Sequence, residues 1–202
     1  IAQHDSEKVK HILNPEEYQL LKSKAEEVLQ GKALVVDMLK PIGILSMFTI
    51  AMTPADTVGP MDVLLQEAAK KKGVKVGGLE TAEQQIEVLK KMTITQQKEE
   101  LLDLINNFDL YTSQIDSLIQ AYLQHDLAAL KRLTDEGFSE STQEFKKELL
   151  TTRNIQMGQK IESYASKHSC LFAIGAAHLI GEEGLIFLLR EKGFELIPLY
   201  QK

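Results

Sequence analysis

Four residues of this sequence have the types and settings that chemistry requires: His178, Glu80, Arg153 and Asn154. His178 closes the tetrad Gly175-Ala176-Ala177-His178, directly after the apolar run Leu171 to Ile174. A histidine delivered on a turn of small residues has a fixed direction. Its neutral imidazole can act there as general acid, general base or metal ligand. One ligand does not make a metal site, since even an open catalytic site takes about three protein groups. No HxxxH or HExxH spacing surrounds His178, so any partners come from distant sequence, and a lone histidine of this kind also fits a purely structural role.

Glu80 ends the segment VGGLE and has two readings. It is either a carboxylate presented at the end of a strand, or an acid that merely favours the N-terminus of the following helix. Arg153 and Asn154 read as the opening of the helix before the Cys170 run. Such a pair can clamp a carboxylate or hydrogen-bond a polar intermediate, and an asparagine there can equally be a plain cap. Glu182 and Glu183 read as first-turn surface acids. His4, His11, His125 and His168 stand in polar contexts and receive no role. No GxSxG, P-loop or GxGxxG pattern occurs, and Gly73-x-x-x-Gly77-Gly78 lacks the Lys-Ser/Thr of a phosphate-binding loop.

Helices must position these groups. Asn14-Pro15-Glu16-Glu17 reads as a cap, a first-turn proline and dipole-favoured acids, followed by the stripe Tyr18, Leu21, Ala25, Val28 and Leu29. Short apolar helices follow at 33–39 and 41–51, with a loop at Thr53-Pro54 and Gly59-Pro60. A helix from about Met61 to Lys72 stops at Gly73. Val74-Lys75-Val76 then reads as a short strand leading to Glu80, and Thr81-x-x-Gln84 as a capping box. An amphipathic helical mid-section spans about 95–150, with Asp126 capping Leu127 to Leu133. Helices near 141–151 and 153–167 lead to a strand at Cys170 to Ile174, whose unbroken apolar run predicts cover on both faces and a buried Cys170. A helix beginning near Gly181 to Gly184 follows, then a closing strand. The expected fold is therefore α/β (α+β) and helix-rich, a small central sheet flanked by helices, within a single domain over 1–202.

Composition narrows the partners. With 202 residues, 44% of them apolar and 26% charged, the chain has an ordinary globular composition and enough length for a real core. A net charge of −6 argues against nucleic acid as a partner. A single cysteine allows no intrachain disulfide and no cysteine-based zinc site. No segment reaches the roughly 18 to 20 apolar residues that would span a bilayer; Ile42 to Met52 is too short. The start at Ile1 leads to the expectation that an upstream portion was removed, and that the missing part supplied further strands.

Several of these stretches together carry a resemblance. Pro60-Met61-Asp62 before a helix, VGGLETAEQQ at 76–85, Tyr122-x-x-x-Asp126-Leu127-x-x-Leu130, Arg153-Asn154-x-x-Met157 and AIGAAHLIGEEGLIFLLREKGFEL at 173–196 resemble the TraB/GumN family, which includes the Tiki-type metal-dependent proteases. The likeness runs from about Leu13 onward. It implies a sheet flanked by helices and two GxxH motifs that meet at one site around a divalent metal, Mn²⁺ or Co²⁺. Gly175 to His178 looks like the second motif, with His178 as metal ligand or base. Glu80, as acidic ligand or its partner, and Arg153 with Asn154, at the reacting carbonyl, become site-lining groups. The first motif, GTxH followed by an acid, has no counterpart here, because Ile1-Ala-Gln-His4 lacks its glycine. The expectation is therefore a metal-dependent hydrolase, a peptidase, in the intact protein, with these 202 residues alone holding metal poorly and inactive. The alternative is a non-catalytic binding protein for peptide pheromone or haem. The resemblance further implies a bacterial cell-envelope location, and the helical mid-section allows a homo-oligomer.

Overall fold

In the computed structural model, residues 5–54 and 60–199 are described. The helices in chain order are α1 (Val9–Ile12), α2 (Pro15–Leu29), α3 (Pro41–Met52), α4 (Met61–Lys71), α5 (Ala82–Leu89), α6 (Ile94–Asn106), α7 (Phe108–Leu123), α8 (Leu127–Glu136), α9 (Gln143–Lys146), α10 (Arg153–Ala165) and α11 (Leu185–Glu191). A 3-10 run, Gln30–Met38, joins α2 to α3. A six-residue π-helical segment, Lys147–Thr152, joins α9 to α10 into one continuous helix.

The chain divides into two compact units. The first takes the described residues up to 54 together with Leu89–Ile119. Its helices start where the sequence dictates. Asn14 Oδ1 accepts from the Glu17 N–H at 2.9 Å, and the Glu17 carboxylate accepts from the Asn14 N–H at 2.8 Å, so two otherwise orphaned donors at the start of α2 are satisfied reciprocally. Thr93 and Gln96 build the same box at the start of α6. Leu21, Ala25 and Leu29 then fall on one face of α2 and join Ile44, Phe48 and Met52 of α3 and Leu101, Leu104 and Ile105 of α6 in one buried cluster. Phe48 is fully buried and meets Phe108 edge-on, with ring centroids 5.9 Å apart.

The second unit takes Gln120 onward and the described residues 60–88. Its core is small: Met157 and Ile161 of α10 and Leu185 of α11 are buried, with Leu79, Phe172, Ile174, Leu179 and Leu189 packed against them.

The expected central sheet is not there. Among the described residues no strand forms; 74–78, 169–175 and the expected closing strand at 194–199 carry no regular secondary structure. A strand is defined by a neighbour about 4.7–4.9 Å away that completes its hydrogen bonds. The apolar run at 171–174 specifies extended backbone and burial, not that neighbour. The segment lies singly over α10 and α11, with Phe172 and Ile174 turned toward the cluster while Leu171 is 84% exposed. Cover on both faces is thereby corrected to cover on one, and Cys170, expected in a core, is exposed. Arg153 and Asn154 open α10 as expected, but the chain reaches them through the π segment and not from a loop, so Asn154 is not a cap.

Candidate functional site

Glu80, Arg153, Asn154 and His178 come together within the second unit. Leu79 and Glu80 end the irregular stretch after α4, and Thr81 and Gln84 form the predicted capping box, which turns the chain abruptly into α5. The Glu80 side chain is 8% exposed and that of Arg153 16%. Arg153 donates from Nε to one carboxylate oxygen and from Nη2 to the other, both at 2.8 Å, and its Nη1 donates to the Leu149 carbonyl at 2.9 Å. The fork is fully directed, which is the geometry guanidinium matches best. This pairing holds the Glu80 carboxyl below its usual range, against the opposing effect of burial; the charge of Arg153 and the nearby His178 help.

The π segment sets this arrangement. A widened turn shifts the phase of the helix that follows, and such turns frequently mark functional sites. After it, Arg153 faces Glu80 while the next residue, Asn154, lies 2% exposed against His178. Lys160, two turns on from Arg153, donates to the Leu79 carbonyl at 2.6 Å and so holds the backbone next to Glu80. Sequence reasoning missed Lys160, although its spacing of seven from Arg153 places both on one helix face.

His178 ends a single 3-10 turn, Ala176–His178, in which its N–H donates to the Gly175 carbonyl and the following Leu179 N–H to the Ala176 carbonyl. Its Nδ1 is 2.7 Å from Asn154 Oδ1. Asn154 Nδ2 donates in turn to the Glu183 carbonyl at 2.8 Å, and the Glu183 carboxylate accepts from the Thr151 hydroxyl at 2.7 Å. Glu183, read as a surface acid and exposed, also clamps its loop at two points, to Thr151 of the π segment and to Asn154 of α10. Gly184 makes the close return possible, because a Cβ there would stand 2.2 Å from the Ile180 carbonyl oxygen. Gly181, at φ +79, supplies the left-handed turn before it. Neither partnership was legible in the sequence, since both are contacts between a helix and a loop about thirty residues away.

Burial lowers the His178 pKa below its ordinary value, the Arg153 charge lowers it further, and Glu80 opposes them. The imidazole is therefore neutral at neutral pH. No hydrogen bond engages Nε2 among the described residues, and none of their unpartnered side-chain nitrogens or oxygens is sealed from solvent. Nε2 is thus open. A cleft of about 500 Å³ is lined in part by Thr151, Asn154, Ala177, Glu182 and Glu183; His178 is not among its lining residues.

As a metal centre the site is incomplete. His178 and Glu80 offer two donors, both Glu80 oxygens already accept from Arg153, and no group of three His, Cys, Asp or Glu side chains that could hold an ion occurs among the described residues. His4 lies outside the described residues, and His11, His125 and His168 are exposed. These residues do not by themselves fit a divalent ion.

The second unit thus carries a part-buried ion pair beside an anchored histidine. Residues 1–198 match the TraB/PrgY/gumN family, and the chain belongs to it. Over 161 residues it is 29% identical to a protein of Amphimedon queenslandica described as a metalloprotease TIKI homolog; the alignment covers 67% of this chain and 32% of that protein. The chain therefore spans about a third of the length of this relative. No solved structure matches the chain. Among the described residues no helix is long and apolar enough to cross a membrane.

Proposed function

We propose that the protein is a hydrolase acting on peptides, with His178 at its reacting centre. The observation that carries this reading is the open Nε2 of a neutral, anchored histidine next to the Glu80–Arg153 pair. The similarity to a protein described as a metalloprotease supports it. In this reading Nε2 takes the proton of an attacking water. Glu80 opposes the Arg153 charge at the resulting imidazolium, and Arg153 keeps Glu80 ionised and in place. The divalent ion, Mn²⁺ or Co²⁺, that the family resemblance implies would need a ligand set beyond these residues, because both Glu80 oxygens already accept from Arg153. The bacterial envelope location remains part of the same proposal and rests on the family resemblance.

The test is cleavage of a mixed peptide library by the full-length protein with added Mn²⁺, compared with His178→Ala. Loss of cleavage in the variant is expected. Equal rates would sink the proposal. A second reading, peptide binding without turnover, is favoured by the full engagement of both Glu80 oxygens by Arg153. Binding of the same peptides, undiminished in His178→Ala and without cleavage by either protein, would select it.

A further inference from the structure

We infer that Asn154 is a positioning residue that holds His178 in the Nδ1–H tautomer and so makes Nε2 the nitrogen available for reaction. The inference deepens the proposed function only in naming its reacting atom. It stands on the geometry of three groups.

An asparagine amide can be placed two ways round, and its neighbours decide between them. Here one end lies 2.8 Å from the Glu183 carbonyl oxygen, a group that can only accept. If the amide oxygen faced that carbonyl, two acceptors would be in contact in a site where Asn154 is 2% exposed, leaving the carbonyl without this donor and adding a repulsion. The amide nitrogen must therefore face Glu183. Its oxygen then faces His178 Nδ1 at 2.7 Å, and an oxygen acceptor there requires a proton on Nδ1. A neutral imidazole carries one ring proton, so Nε2 keeps its lone pair.

The orientation is relayed from the backbone. The carbonyl that orders the amide belongs to the loop folded tightly by Gly181 and Gly184, and the Thr151 hydroxyl fixes the same residue through its carboxylate. A free histidine side chain favours the opposite tautomer, with the proton on Nε2. The Nδ1–H bond to Asn154 Oδ1 offsets that preference and leaves the Nε2 lone pair unused by the protein. A base or a ligand needs that lone pair.

The experiment is a long-range ¹H–¹⁵N correlation spectrum of the ¹⁵N-labelled chain, with chelator present, at about pH 8.5, where the imidazole is neutral. The His178 signals are assigned by their loss in His178→Gln. The expected result is a protonated, pyrrole-type Nδ1 and an unprotonated, pyridine-type Nε2. In Asn154→Leu, which offers no acceptor, the two signals should exchange character or average. Asn154→Asp, which keeps an oxygen at the site, should retain the Nδ1–H pattern. A wild-type spectrum with the proton on Nε2 overturns the inference whether or not either variant folds. So does an unchanged tautomer in Asn154→Leu. Because the spectrum needs no substrate, failure of peptide cleavage leaves this result standing, and the two proposals fail separately.

Discussion

The two units of this chain are stabilised by different physics. In the first, twelve buried apolar side chains from α1, α2, the 3-10 run, α3, α6 and the Leu13 turn form one cluster, and the ion pairs Lys22–Asp37 and Lys98–Glu17 are partly exposed. In the second, three buried apolar side chains form the cluster, and the most interior contacts are polar: Glu80 with Arg153, Asn154 with His178 and Glu183. Apolar burial is non-directional and tolerates adjustment. Buried polar networks gain little net stability but permit few arrangements, because any group left unpaired is costly. The first unit is built to stay folded, and the second to hold a few groups in one geometry.

Three measurements would break or sharpen that contrast. The largest effect is expected from Phe48→Ala, which empties the centre of the first cluster and loses the edge-on contact with Phe108. It should cost about 3–5 kcal/mol in denaturant unfolding. A loss below about 1 kcal/mol would mean that this cluster does not dominate its unit. Next comes Arg153→Met, which leaves the Glu80 charge enclosed without its partner and should cost about 3 kcal/mol. The double variant Glu80→Leu/Arg153→Met should recover most of that loss, since replacing both ions removes the stranded charge. If the double variant is as unstable as the single one, the pair contributes through packing and not through charge.

The smallest effect is acid sensitivity. His178 is buried neutral with its pKa lowered, so its contribution is fully present above the ordinary value of 6.5 and is lost as the pH falls from there toward its folded value. Glu80 is also lowered, so its contribution is present above the ordinary 4.5 and is lost as the pH falls through its folded value. Urea midpoints should therefore drop as the pH falls below about 6.5 in the wild type, measured without added metal, and drop less in His178→Gln. Equal slopes in the two proteins would remove His178 as the source.

Much of the helical frame was readable from local chemistry. Asn14, Thr81 and Asp126 act as caps, Asp126 through its bond to the Ala129 N–H at 2.9 Å, because a capping side chain needs only a donor three residues away. The stripe on α2 was readable because helical period alone fixes which residues share a face. The strand expected at 171–174 and the sheet around it were not real. Extended backbone is a local property, while a strand depends on a neighbour that no run of four residues encodes. Cys170 and Leu171 were misplaced for the same reason.

For the candidate site, sequence alone picked out Glu80, Arg153, Asn154 and His178 as groups with suitable chemistry, drawn from segments almost a hundred residues apart. It assigned Arg153 and Asn154 to a reacting carbonyl. Only the tertiary structure decided that Arg153 spends its fork on Glu80 and that Asn154 spends both ends of its amide on His178 and the Glu183 carbonyl. Residue type fixes what a side chain can donate or accept. Which partner it meets depends on helix phase, here altered by the π segment at Lys147–Thr152, and on the return of a distant loop at Gly184. Those are properties of the folded chain, and they turn four plausible residues into one ordered set.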